Sequence, residues 1–205
     1  FAHPALTRFE NDALGNYALM DQIAALEWVK QNIAQFGGDA SKVTLMGESA
    51  GGASVHAMMQ TPAANGLFQQ AVIMSAGGRE LFKQLPLNSD EDTVLSAEKI
   101  GKNFAKQHTI LGSDENALAA LRELSAEEVI DNLNLSTLNR QINDDSTYVG
   151  GPIIDGTILN TTTEARSNKG TFSHVATMVG TTDMDLGFAN FASKEALFAS
   201  FAPHS

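Results

Sequence analysis

No cysteine occurs in these 205 residues, so disulfides and a thiol nucleophile are excluded, while the compartment stays undetermined. Basic residues are scarce as well: 13 Lys and Arg stand against 24 Asp and Glu, a formal charge of −11. With neither a basic stripe nor an arginine cluster, nucleic acid and anionic membranes are not expected as partners. No apolar run approaches the length of a membrane span, and no residues near the start look like a signal peptide. Nor is there a ligand cluster with metal spacing, so no metal or organic cofactor is expected. Internal repeats and low-complexity segments are absent too. What is present is 43% hydrophobic residues, enough for one domain with a sizeable core.

One pentapeptide stands out. Gly47-Glu48-Ser49-Ala50-Gly51 directly follows the apolar run Val43-Thr44-Leu45-Met46 and precedes a small-residue stretch. A strand that turns sharply into a helix needs glycine two residues either side of the serine, where a Cβ would collide with neighbouring backbone. Such an elbow lifts Ser49 Oγ clear of the sheet at a helix N-terminus. The Ala50 N–H then points to where a carbonyl oxygen becomes an oxyanion, and the helix end favours that charge. The pattern alone arises by chance in about one chain of this length in ten, so its context decides.

Upstream, Leu19, Ile23, Leu26, Val29 and Ile33 recur at helical steps and form one apolar face. Asn16 is placed as its N-cap, and Gly37-Gly38 as its stop. The order is therefore helix, Gly-Gly-Asp turn, short strand, G-x-S-x-G and helix, which is the setting the motif requires. A second apolar run, Ala71-Val72-Ile73-Met74, reads as the next buried parallel strand. Between the strands the chain reads as helical. Ser89-Asp90-Glu91-Asp92 opens a stretch running towards Phe104, and Ser113-Asp114-Glu115 opens another with Leu118, Leu121 and Leu124 on one face. Ser125-Ala126-Glu127-Glu128 is a capping-box start for a third, carrying Val129, Ile130 and Leu133.

Several blocks together resemble the type-B carboxylesterases, the carboxylesterase and cholinesterase group of α/β-hydrolases. They are Asn16-Tyr17-Ala18-Leu19-Met20-Asp21-Gln22, Ala25-Leu26-Glu27-Trp28-Val29, Asn32-Ile33, Phe36-Gly37-Gly38-Asp39 and Val43 through Gly52. Further on, Leu67-Phe68 with Ile73-Met74-Ser75, then Gly151-Pro152-Ile153-Ile154-Asp155-Gly156, and finally Val179-Gly180-Thr181-Thr182-Asp183-Met184-Asp185, follow in the family's order. The resemblance implies an α/β fold, specifically a partial α/β-hydrolase fold with a mostly parallel sheet flanked by helices, truncated at both ends. Residues 1–205 would form a single incomplete domain: an elbow core over 1–80, a helical excursion over 81–149, and a late strand with the acid loop over 150–205. It further implies cleavage of small-molecule carboxylic esters through an acyl-serine. Relatives with disulfides would place cysteines after Ser75 and around Leu111 to Leu124, so their absence resembles bacterial members more than animal ones.

Carried over residue by residue, the resemblance makes Ser49 the nucleophile and Ala50 an oxyanion donor. The acid stands five residues after the glycine ending the late strand. Counting from Gly180 gives Asp185, with Asp183 as a rival because Leu186 stands where the family usually has glycine. Ser75 resembles a supporting position near the triad, Glu48 a buried hydrogen-bonding scaffold residue, and Asp155 a turn residue. The glycine-rich oxyanion loop would lie upstream of Phe1, and none of the five histidines suits the base. His3 precedes the nucleophile, and His56 follows Ser49 by seven helical positions, about 10 Å along the axis. His108 belongs to the excursion, His174 precedes the late strand, and His204 comes only nineteen residues after Asp185. The chain is therefore expected to be an internal fragment, inactive by itself, with its histidine beyond Ser205. Two rivals keep the same fold: a non-catalytic, cholinesterase-like adhesion or scaffold domain, which characteristically loses the serine, and a peptidase or lipase.

Overall fold

The computed structural model describes residues 1–9, 15–76, 84–91, 93–134, 142–183 and 185. Three parallel strands, β1 (Thr44–Glu48), β2 (Gln70–Met74) and β3 (Ala176–Gly180), form a sheet in that spatial order. Helices α1 (Pro4–Phe9) and α2 (Tyr17–Asn32) precede β1, and α3 (Ala50–Gln60) joins β1 to β2. Between β2 and β3 come α4 (Ala97–Gln107), α5 (Glu115–Arg122), α6 (Ala126–Ile130) and α7 (Thr163–Lys169). This is a small parallel sheet flanked by helices, a partial α/β-hydrolase fold.

The apolar spacing in α2 delivers what it predicts, since Leu19, Ile23 and Leu26 are buried. They pack with Val55 and Met58 of α3 and with Ala71 and Ile73 of β2. Each such fully buried aliphatic side chain contributes about 1.5–3 kcal/mol. The helix tightens into a 3-10 turn at Ile33–Phe36 and stops at Gly37, whose φ of 81° only glycine adopts freely. Asn16 holds the N-cap position but makes no cap bond. Its buried amide donates to the Ile153 carbonyl and the Asp155 carboxylate, and accepts from the Ile153 N–H. The expected cap is thus a clamp between segments 137 residues apart. Asp155 is the turn residue expected: its Oδ1 accepts from the Thr157 and Leu159 N–H groups, with Gly156 at φ 78°.

β2 is not buried as a central strand clad on both faces. Ala71 and Ile73 are buried while Val72 and Met74 are only half-buried. In register with Val72 stand Met46 of β1 and Met178 of β3, 61% and 69% exposed. Strand side chains alternate faces, and α2 and α3 cover only one.

The second expected helix begins later than Ser89. Ser89 closes a local turn with Glu91, and the cap is Ser96, whose side chain accepts from the Lys99 N–H. The Pro86 and Leu87 carbonyls take the Ala97 and Glu98 N–H groups. α5 starts as expected with Asp114 as cap, and α6 carries the full capping box of Ser125 and Glu128. Val129 and Ile130, however, are exposed among the described residues.

His3 is 1% exposed, and its Nδ1 accepts the Ala5 N–H at the start of α1. Burial, reinforced by the Lys102 charge, pushes its pKa below 6.5. The unfolded chain therefore binds the proton first as pH falls. Stability is fully present above 6.5 and declines below it, until His3 itself protonates in the folded state. An NMR titration of the His3 ring is expected to give a midpoint below 6.5, with unfolding free energy falling over the same window.

Candidate active site

The three strands end in register at Glu48, Met74 and Gly180. Beyond those ends the ladder continues by one bond each: the Ser49 N–H donates to the Met74 carbonyl and the Ser75 N–H to the Gly180 carbonyl, both at 2.9 Å. Ser49 and Ser75 are nevertheless in the left-handed region, with φ 52° and 50°. Side chains reach that region only when surroundings impose it, at a cost of about 1–3 kcal/mol each. At Ser49, where ψ is −116°, the imposition is the sharp passage from β1 into α3.

Ser49 occupies the N-cap position of α3, yet its side chain makes no cap hydrogen bond. The hydroxyl is therefore not folded back onto the helix as serine caps normally are, and the residue is exposed. The first carbonyl used by the helix is that of Ser49, accepting from Ala53 N–H at 3.0 Å. The N–H groups of Ala50, Gly51 and Gly52 thus have no intrahelical acceptor, and they sit at the positive end of the helix dipole. A hydroxyl beside N–H groups that the helix itself leaves without an acceptor is suited to attack a carbonyl while its oxygen gains charge.

The two motif glycines differ, contrary to expectation. A Cβ on Gly47 would lie 2.3 Å from the Gly51 carbonyl carbon and oxygen and 2.8 Å from the Gly52 nitrogen. On Gly51 it would meet nothing within 4 Å among the described residues. The second crowded position is Gly52, where a Cβ would lie 2.8 Å from Ala76 Cβ and 3.1 Å from the Gly47 and Met74 carbonyl oxygens. Gly47→Ala is accordingly expected to destabilise by about 1–3 kcal/mol or more as β1 and α3 are forced apart. Gly51→Ala, helical and unobstructed, is expected to change stability by less than about 1 kcal/mol, and upward if at all. Paired thermal melts of the two variants check the contrast.

The segment after β3 leaves from the same carboxyl end of the sheet. The Asp185 carboxylate accepts the Thr181 hydroxyl, and its N–H meets the Thr182 carbonyl at 3.4 Å. Asp185 is half-buried and Asp183 exposed. Neighbouring strands lie about 4.8 Å apart, so the ends of β1 and β3 are about 10 Å apart across β2. Glu48, expected to be buried, is exposed at the end of the edge strand.

The histidines lie elsewhere. His3 is tied to α1, and His56 stands within α3. His108 caps the C-terminus of α4 against Phe104, and His174 approaches the Gly170 carbonyl at 2.9 Å before the amino end of β3. His204 lies outside the described residues. Two contributors escaped the sequence reading: Gly52, signalled by the Gly51-Gly52 doublet, and Thr181, which no local pattern marks.

A sequence profile described as "Carboxylesterase family" matches residues 6–200. The para-nitrobenzyl esterase of Bacillus subtilis (strain 168) is 33% identical over 186 residues, 91% of this chain and 35% of that protein. The fumonisin B1 esterase of Sphingopyxis macrogoltabida is 34% identical over 181 residues, 87% of this chain and 30% of that protein. Carboxylesterase 5A of Canis lupus familiaris is 32% identical over 180 residues, 87% of this chain and 28% of that protein. The chain spans about a third of the length of these curated relatives.

Proposed function

The chain belongs to the carboxylesterase family, and from that membership we propose that it carries the nucleophile and the acid of a serine hydrolase acting on small-molecule carboxylic esters through an acyl-enzyme. The observation that carries the reading is Ser49: exposed, held at φ 52° between β1 and α3, with its hydroxyl not used as a helix cap.

In this reading Ser49 Oγ attacks the ester carbonyl carbon and gives its proton to an imidazole. The developing oxyanion accepts from the Ala50 N–H. The bond to the alcohol oxygen then breaks as the imidazolium returns the proton to it, and water repeats the sequence on the acyl-serine. Asp185 orients the imidazole, and the Thr181 hydroxyl orients Asp185. Two hydrogen bonds of about 3 Å plus the ring span roughly 7–8 Å, which the distance between the ends of β1 and β3 accommodates. The imidazole is proposed to come from outside residues 1–205, because the described histidines are held elsewhere and His204 stands only nineteen residues after Asp185.

The test is an organophosphonate probe on the full-length protein followed by peptide mapping. The phosphonate is expected on Ser49, and a label on any other residue overturns the assignment. A polypeptide of residues 1–205 alone is expected to show no ester turnover. Saturable hydrolysis by it, lost in Ser49→Ala, would place the base within the chain.

A further inference from the structure

A second cleft is built between α4 and the N-terminal segment, from residues that the proposed ester chemistry does not use. The chain leaves α4 through Thr109, whose φ is 61°. The Thr109 N–H donates to the Lys106 carbonyl and the Ile110 N–H to the Ala105 carbonyl, which closes the helix and turns the chain back along it. Residues 110–113 then run beside α4. On the facing side, Gly101 lets α4 lie directly against the N-terminal segment, for a Cβ there would fall 1.6 Å from the Ala2 carbonyl oxygen. Arg8 of α1 closes the arrangement by donating to the Ser113 carbonyl.

The result is an open groove of about 320 Å³ lined by His3, Lys102, Lys106, Ile110, Leu111, Gly112 and Ser113. Its electrostatics are opposite to those of the chain, which carries −11 overall. Lys102 and Lys106 are one turn apart on α4, where like charges repel. Glu98, a turn before Lys102, is engaged by the Thr7 hydroxyl instead. Among the described residues no carboxylate lies within 4 Å of either ammonium. His3 is 1% exposed, and since its Nδ1 accepts from Ala5, the neutral ring carries its proton on Nε2. The remaining wall joins the apolar side chains of Ile110 and Leu111 to Gly112 and Ser113. Ile110 is half-buried, and Leu111 is 81% exposed beside the two lysines.

We propose that this groove binds a small organic carboxylate, its head between Lys102 and Lys106 and its hydrocarbon body against Ile110 and Leu111. One carboxylate between the two ammonium groups offsets one of their charges and relieves their mutual repulsion, and the neutral His3 ring lines the same space. At about 30 Å³ per water-sized group the space holds roughly ten non-hydrogen atoms, the size of a six-carbon acid with room for water. An apolar wall favours such a ligand over inorganic phosphate, which offers the leucine nothing. The proposal stands independently of the Ser49 chemistry, although ester cleavage would release this class of compound.

The experiment is calorimetric titration of the protein with hexanoate, hexan-1-ol and inorganic phosphate at low ionic strength, with amide NMR shifts to locate the site. Hexanoate is expected to saturate with a Kd on the order of 1 mM or tighter, shifting Gly112 and Ser113, while the alcohol and phosphate bind at least about tenfold more weakly. Changing both lysines, Lys102→Gln with Lys106→Gln, is expected to weaken hexanoate at least about tenfold, and Lys102→Arg with Lys106→Arg to retain it. Both positions are exposed, so neither pair threatens folding. Absence of saturation, undiminished binding in the glutamine pair, or phosphate binding as tightly as hexanoate each overturns the proposal.

Discussion

Replacing Ser49 with alanine is expected to lower the turnover of a chromogenic short-chain ester by the full-length protein by about 10⁴- to 10⁶-fold, with KM little changed. Removing the nucleophile eliminates the acyl-enzyme route and leaves only what oriented donors and substrate binding contribute. The left-handed φ at Ser49 adds a second expectation. Alanine has the same Cβ as serine, so Ser49→Ala keeps the backbone strain. Glycine adopts φ 52° freely, so Ser49→Gly, equally inactive, is expected to be more stable by about 1 kcal/mol and to melt at a higher temperature. An inactive variant that gains stability is the signature of a residue held in strain for its chemistry. Equal melting of the Ala and Gly variants would mean that the elbow stores no strain.

The parts legible in the sequence are those in which a local pattern has one physical solution. The spacing of Leu19, Ile23 and Leu26 has one helical face to bury, and the apolar runs before Gly47 and Ser75 have one extended arrangement. Gly47 was legible because a turn that tight forces the backbone of residues 51 and 52 onto its α-carbon. Gly51 misled, since of the Gly51-Gly52 pair it is the second that faces Ala76 and Met74.

Other features depend on contacts that no window of sequence contains. Asn16 carries the side chain of a cap, but Ile153 and Asp155 claim its amide. Ser89 looks like a helix start because its hydroxyl bonds to nearby backbone, yet that bond serves a turn. The helix begins where the carbonyls of Pro86 and Leu87 wait for the N–H groups of Ala97 and Glu98. Likewise, Thr181 can matter only once the loop after β3 folds back to bring Asp185 within reach.

The choice between the two aspartates leads to the second large expected effect. On the proposed assignment, Asp185→Asn keeps the size of the side chain and removes the charge that stabilises the imidazolium. It also offers an amide N–H where a carboxylate oxygen should accept, which favours the wrong histidine tautomer. The expected loss in kcat in the full-length protein is about 10⁴-fold. Asp183→Asn, at an exposed position, is expected to stay within about twofold of the parent. Thr181→Val would remove the hydroxyl that donates to Asp185 while keeping the shape of the side chain. Its expected effect is intermediate, about 10-fold in kcat with KM unchanged, because the carboxylate remains but is less firmly oriented. Thr181→Ser should restore activity. A pH–rate profile separates this positioning role from a general loss of structure. Asp185 stabilises the protonated imidazole, so Asp185→Asn should move the lower limb of kcat/KM to lower pH, whereas a structural defect would scale the profile without moving it. If Asp183→Asn abolished activity while Asp185→Asn did not, the count from Gly180 would be out of register by two, and Leu186 would mark the shift.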